Sequence, residues 1–199
     1  MMVEARNTTT LIHMYNKINS NISNLVHEYE NEFGIGPVWV VRVPARLCLA
    51  ADHTDYWLGF TPELITMASD AQEMWAVIGA RDDDIISCVS DNEMFEPWQE
   101  KMIGGLHELG EGWLDWLALI ATPKHHWSNY VMGSVHHTKL VHNVHLGFNM
   151  YVSSSIPPAS GASSSSALAT SAMFAILLAN KLELNLDEIM KNTAEGEWF

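Results

Sequence analysis

Leu11, Tyr15, Ile18, Ile22, Leu25, Tyr29 and Phe33 recur every three or four residues. That period predicts an amphipathic helix, with Thr8, Thr9 or Thr10 as its cap and Gly34 as its stop. Gly36-Pro37 breaks the chain, and the β-branched run 38–43 predicts a strand. After a further break at Pro62, the segments 65–67, 74–79 and 85–89 read as strands, with Asp82-Asp83-Asp84 as the turn between the last two. Trp113, Trp116, Leu117 and Ile120 share one face of a short helix that Pro123 ends. Trp127, Tyr130, Val131, Ser134 and Val135 predict another helix. Leu146, Phe148, Met150 and Val152 alternate strictly, as in a half-buried strand. Residues 164–182 and 186–199 read as two closing helices, the second starting near Asn185 or Asp187. Strands and helices mix without regular alternation. The expected class is therefore α+β rather than a doubly wound sheet. No repeat or linker divides the chain, which reads as a helix over 1–35 followed by one domain over 36–199.

Two segments stand out chemically. Residues 44–56, Pro-Ala-Arg-Leu-Cys-Leu-Ala-Ala-Asp-His-Thr-Asp-Tyr, place Arg46, Asp52, His53 and Asp55 within ten positions of one another. Arg46 can brace a phosphoryl group or hold a carboxylate. Asp52, His53 and Asp55 can accept hydrogen bonds from a polyol. The competing reading is an ordinary loop with a surface ion pair. The second segment is Pro157-Pro158-Ala159-Ser160-Gly161-Ala162-Ser163-Ser164-Ser165-Ser166, which joins a strand to an apolar helix. Small residues let an anion approach the backbone at a helix N-terminus, where unpaired N–H groups and the positive dipole end are found. Its hydroxyls suit Mg²⁺. The Gly-Lys-Ser/Thr ending of a P-loop is absent, and a serine-rich helix cap with no ligand explains the same residues. Together the two segments suggest a small-molecule kinase.

Charge narrows the partners. Ten Lys and Arg face 24 Asp and Glu, for a formal net charge of −14. That field repels polyanions, so neither nucleic acid nor an anionic membrane is an expected partner. A single nucleotide needs only local donors. Of 199 residues 48% are hydrophobic, enough for one domain with a real core. Two lone cysteines, Cys48 and Cys88, and no charged-then-apolar leader fit a reduced cytoplasmic setting. The apolar run 167–179 is shorter than the roughly 20 residues of a membrane span.

The first segment resembles the opening motif of the GHMP kinase superfamily, Pro-Gly-Arg-Val-Asn-Leu-Ile-Gly-Glu-His-Thr-Asp-Tyr. Pro44, Arg46, Leu49, His53, Thr54, Asp55 and Tyr56 match it outright, and His-Thr-Asp-Tyr points to the galactokinase branch. Trp127-Ser128-Asn129-Tyr130-Val131-Met132-Gly133 is similar to the galactokinase Trp-x-Asn-Tyr-Val-x-Gly segment. Residues 157–167 resemble the second motif, Pro-x-Gly-x-Gly-Leu-Ser-Ser-Ser-Ala-Ser. The resemblance runs from about residue 38 to the end of the chain. It implies a two-layer α/β sandwich of the ribosomal-protein-like kind, the N-terminal domain of a GHMP kinase. It implies ATP, Mg²⁺ and a small sugar as partners, with the γ-phosphate passing to a sugar hydroxyl, that at C1 of galactose or a related sugar. Arg46 would stand beside the phosphoryl transfer. Asp52, His53, Asp55 and Tyr56 would contact the sugar. Ala159, Ser160, Gly161, Ala162, Ser163, Ser164 and Ser165 would wrap the phosphates, and Ser165 and Glu195 would bind the metal. Asp52 stands for the family's Glu, and Ala45, Ala159 and Ala162 stand for Gly, Gly and Leu. The family's catalytic aspartate lies in a segment beyond Phe199, as does its C-terminal half, so this chain alone is expected to turn over little. Two other functions stay open: a sugar- and nucleotide-binding module without turnover, and a GHMP kinase acting on a different small substrate.

The remaining clusters read as structural. His125-His126, His136-His137, His142 and His145 suggest a His-rich surface rather than a metal site, because adjacent residues diverge on a helix. Trp113 and Trp116 read as core.

Overall fold

The computed structural model of the protein describes residues 8–50, 65–102, 126–183 and 185–196. Helix α1 (Thr8–Phe33) is followed by strands β1 (Trp39–Ala50), β2 (Ile65–Ala80), β3 (Ile85–Ser90) and β4 (Trp98–Lys101). Helix α2 (Ser128–Val141), strand β5 (Phe148–Ser154) and helices α3 (Ser164–Ala179) and α4 (Leu186–Gly196) complete the order. The described strands form one five-stranded sheet in the order β1-β2-β5-β3-β4. Only β3 and β5 pair in parallel; the other neighbours are antiparallel. The mixed, mostly antiparallel sheet with three helices layered on one face is the expected α+β sandwich.

Side-chain alternation sets the faces. Ala76 and Ile78 of β2, Ile86 and Cys88 of β3, and Phe148 and Met150 of β5 are fully buried and share one hydrophobic cluster. Helix α3 lies on this face, touching β1, β2 and β5, and α2 and α4 pack against it. Ten of its residues are buried, on all sides, as a helix enclosed by other elements requires. The opposite sheet face receives α1, which contacts β5 and β2. Gly34 ends α1 in a left-handed conformation (φ 89°), and its N–H donates to the Glu30 carbonyl. Asn185 starts α4, its Oδ1 accepting from the Asp187 and Glu188 N–H groups at 3.1 and 3.4 Å.

Two strands run further than their local pattern suggests. β1 continues through Pro44, Arg46 and Leu47 to Ala50, so the first half of the polar segment is strand, not loop. β1 lies at the sheet edge, where a proline's missing N–H costs no ladder bond. β2 is a single strand in which the pairing partner jumps from Glu73 to Ala68 between Pro44 and Arg46. The excess residues turn out at Ser69, whose Oγ accepts from the N–H groups of Ala71 and Gln72. The predicted helix around Trp113 and Trp116 lies outside the described residues.

Candidate functional site

β1 and the loop before α3 meet at Arg46. Its backbone N–H donates to the Ala162 carbonyl at 3.3 Å, and its Nε donates to Ser163 Oγ at 2.9 Å. The β1–β2 register shifts between Pro44 and Arg46, immediately before this contact. Arg46, from the first of the two chemically distinct segments, therefore touches the second.

The loop is built from positive-φ corners. Ala159 (φ 54°), Gly161 (φ 74°) and Ser163 (φ 61°) all take the left-handed conformation. Ser160 Oγ donates to the Pro157 carbonyl at 2.7 Å, closing the first turn. At the loop entrance Ser155 ties to β2: its N–H donates to the Glu73 carbonyl, and Glu73 N–H donates to its Oγ. Ile156 and Ala162 are buried beneath, whereas Ala159, Ser160 and Gly161 are exposed. The loop thus carries small exposed residues into a helix N-terminus, the kind of backbone that an anion can approach closely.

Beside the loop lies a cavity of about 330 Å³. Ala159, Ser164 and Ser165 form its mouth, Val152 and Leu168 part of its floor, and Phe95, Trp127 and Tyr130 its aromatic wall. Trp127 is fixed by its Nε1 donating to the Glu96 carbonyl at 3.0 Å. Trp98 meets it edge-on at 5.8 Å between ring centroids, and Phe95 lies tilted at 5.9 Å. Ser90, Asn92 and Ser154 add polar atoms to the lining. A flat, partly polar ring fits such a wall. Asn92 and Phe95 went unnoticed in the sequence, because they sit on the irregular stretch between β3 and β4, where no period marks them.

Asp52, His53, Asp55 and Tyr56 lie outside the described residues. Glu195 falls in the last turn of α4, which folds back onto α3 and α2. Among the described residues no three His, Cys, Asp or Glu gather as a metal site. His136 and His137 are not surface residues. They are 4% and 6% exposed, because α2 is packed against both α3 and α4. Desolvation, aided by the nearby Lys139 charge, holds the His136 pKa down at about 3, so its ring is neutral at pH 7. Asp83 of the acidic turn pairs with Arg81, whose Nε and Nη2 reach its two carboxylate oxygens at 2.6 and 2.7 Å. Among the described residues no helix is long and apolar enough to cross a membrane.

Residues 129–198 match the family model described as the GHMP kinases N terminal domain. The chain resembles the galactokinase of Lactococcus lactis, solved with galactose, with a TM-score of 0.69 at 22% identity; the match covers 88% of this chain and 42% of that one. It resembles the mevalonate kinase of Methanococcus jannaschii with a TM-score of 0.57 at 21% identity, covering 81% and 46%. It also resembles the phosphomevalonate kinase of Streptococcus pneumoniae, solved with phosphomevalonate and AMPPNP, with a TM-score of 0.50 at 14% identity, covering 78% and 41%. The chain carries the N-terminal portion of the GHMP kinase fold and spans less than half the length of these relatives.

Proposed function

We propose that this chain is the nucleotide- and substrate-binding part of an ATP-dependent sugar kinase of the galactokinase kind, working in the cytoplasm. The contact between Arg46 and Ser163, at 2.9 Å, carries the reading: it joins the arginine of one motif to the serine loop of the other, and the neighbouring Ser164 and Ser165 line a cavity. The adenine ring lies against Trp127 and Tyr130, and the triphosphate follows the loop from Ala159 to Ser165. Asp52, His53, Asp55 and Tyr56, which follow β1, bind the sugar. In the transfer, a sugar hydroxyl oxygen bonds to the γ-phosphorus as the bond to the β,γ-bridging oxygen breaks, and the hydroxyl proton leaves to a base. Arg46 offsets the negative charge on the transferring group.

Mg²⁺ supplies further charge neutralisation when it arrives with the nucleotide. Ser165 and Glu195 would hold it through hard oxygen ligands. One or two protein ligands are the usual share for Mg²⁺, so the lack of a larger acidic cluster among the described residues is no obstacle.

Calorimetry tests the proposal. Mg·ATP is expected to bind, Ser165→Ala or Glu195→Gln to weaken its Mg²⁺ dependence, and Asp55→Ala to harm binding of a hexose far more than of ATP. Absence of nucleotide binding, or equal loss of both ligands in Asp55→Ala, refutes it. A hexose panel with galactose first decides the substrate. Mevalonate in the same panel covers the other relatives.

A further inference from the structure

We propose that Ser163 is a positioning residue for Arg46, and that its left-handed backbone is what makes it one. The inference rests on the phosphate-binding reading of the loop and adds a coupling within it. Three features converge on Ser163. It occupies the N-cap position of α3, yet its side chain makes no capping hydrogen bond. Its backbone sits at φ 61°, ψ 44°, a conformation that is costly for any residue with a Cβ. Its Oγ instead accepts from Arg46 Nε at 2.9 Å.

The three have one explanation. An N-cap serine in extended backbone turns its Oγ back onto the N–H groups of the first helical turn. The left-handed conformation points the Cβ elsewhere, so Oγ leaves the helix end and meets the arginine. Two things follow. The first-turn N–H groups are not capped by this hydroxyl. The guanidinium is planar, so holding Nε fixes the plane in which both Nη groups lie. Arg46 is exposed and has a flexible stem. Its backbone bond to Ala162 fixes where the side chain starts, and the Ser163 hydroxyl fixes where it ends. With its oxygen accepting from Nε, the Ser163 hydroxyl has its own proton to direct at an anion. Cation and hydroxyl thus approach a phosphate as one preorganised unit, and loop and arginine are not independent contributors.

The test is a double-mutant cycle on this chain with two readouts. The Arg46 Nε–H proton, assigned by its disappearance in Arg46→Ala, is followed by nitrogen-15 NMR, and Mg·ATP affinity is measured by calorimetry. Ser163→Ala is expected to speed Nε–H exchange and to weaken Mg·ATP by about fivefold, the scale of one solvent-exposed hydrogen bond to a charged group. In an Arg46→Ala background it is expected to cost less than half of that in logarithmic terms. Ser163→Gly separates backbone from hydroxyl: relief of the left-handed conformation raises the unfolding midpoint, while affinity falls as in Ser163→Ala. Stability and affinity moving in opposite directions is a result that a purely structural serine does not produce. Unchanged Nε–H exchange in Ser163→Ala, or losses that simply add in the double variant, overturn the proposal. In a chain that binds no Mg·ATP the kinase reading fails, and Nε–H exchange alone then upholds or overturns the coupling.

Discussion

The hydroxyl of Tyr29 fills the space that a side chain on Gly79 would need: a Cβ there would lie 1.9 Å from Tyr29 Oη. Tyr29 comes from α1 and is 4% exposed, so this approach is how the helix seats on the back of β2. Burial raises the Tyr29 pKa, against a hydrogen bond to Asn149 that lowers it. Arg81 joins the same group, its Nη1 donating to Asn149 Oδ1 at 2.8 Å while Asp83 holds its other side. Gly79→Ala is expected to destabilise by about 1–3 kcal/mol through overpacking. Tyr29→Phe removes the clashing oxygen, so the double variant should lose less than the sum of the two singles in urea melts.

Gly147 meets a harder neighbour. A Cβ there would lie 1.8 Å from the Ile85 carbonyl oxygen, and Gly147 N–H donates to the Asp83 carbonyl at 2.7 Å. A backbone atom held in place cannot rotate away as a tyrosine tip can. Gly147→Ala should therefore cost more than Gly79→Ala, on the order of 3 kcal/mol or above, within the range of severe core overpacking and backbone displacement. Urea midpoints of the two variants, measured side by side, check the ranking.

Ala159 is expected to respond in the other direction. It stands at φ 54° in the exposed part of the serine loop, at a position where the resembling motif has glycine. Left-handed backbone costs an alanine roughly 1–2 kcal/mol, and part of the relief on mutation is lost to the greater freedom of glycine in the unfolded chain. Ala159→Gly should stabilise by about 0.5–1 kcal/mol, read as a higher thermal midpoint. A lower midpoint would mean that the alanine is not strained.

Asn180 has all its amide capacity in use. Its Oδ1 accepts from the His145 and Leu146 N–H groups, each at 3.0 Å. Its Nδ2 donates to the Leu146 and Ile176 carbonyls at 2.8 and 2.9 Å. One side chain thus closes the C-terminus of α3 and pins the approach to β5. Asn180→Asp keeps the shape but sets a carboxylate against two carbonyls. It should cost about 2–3 kcal/mol, and Asn180→Ala about 2 kcal/mol. Chemical denaturation measures both.

Much of this architecture was legible because it is periodic. The α1 stripe ending at Gly34, the alternation of Phe148, Met150 and Val152, and the apolar α3 each announce their element from nearest neighbours alone. The polar segment from Pro44 misled for a local reason: a proline and a charge read as loop, yet an edge strand tolerates both. β4 has four residues, Trp98–Lys101, too few to show a period. His136 and His137 read as surface because a polar side chain gives no sign that two more helices will pack over it. The candidate site was legible in its chemistry and not in its geometry. Arg46 and Ser163 are 117 positions apart, and no local pattern announces that they touch. The cavity was invisible, since Asn92 and Phe95 belong to no regular element.

His136 gives the last expectation, a pH dependence. Its folded pKa, about 3, lies below the ordinary imidazole value of 6.5 through desolvation first and the Lys139 charge second. Above pH 6.5 neither the folded nor the unfolded state protonates it, so its neutral packing is fully stabilising. Between about pH 6.5 and 3 the unfolded chain binds a proton that the folded protein refuses, and stability falls as pH falls. One such group contributes up to about 1.4 kcal/mol per pH unit over that window. Carboxylates add their own slope below about pH 5, so the clean interval is pH 6.5 to 5. His136→Gln should lose part of that slope while keeping a polar side chain of similar reach. Urea melts at half-unit pH steps measure both lines, and parallel slopes for the two proteins would show that the buried imidazole is not the source.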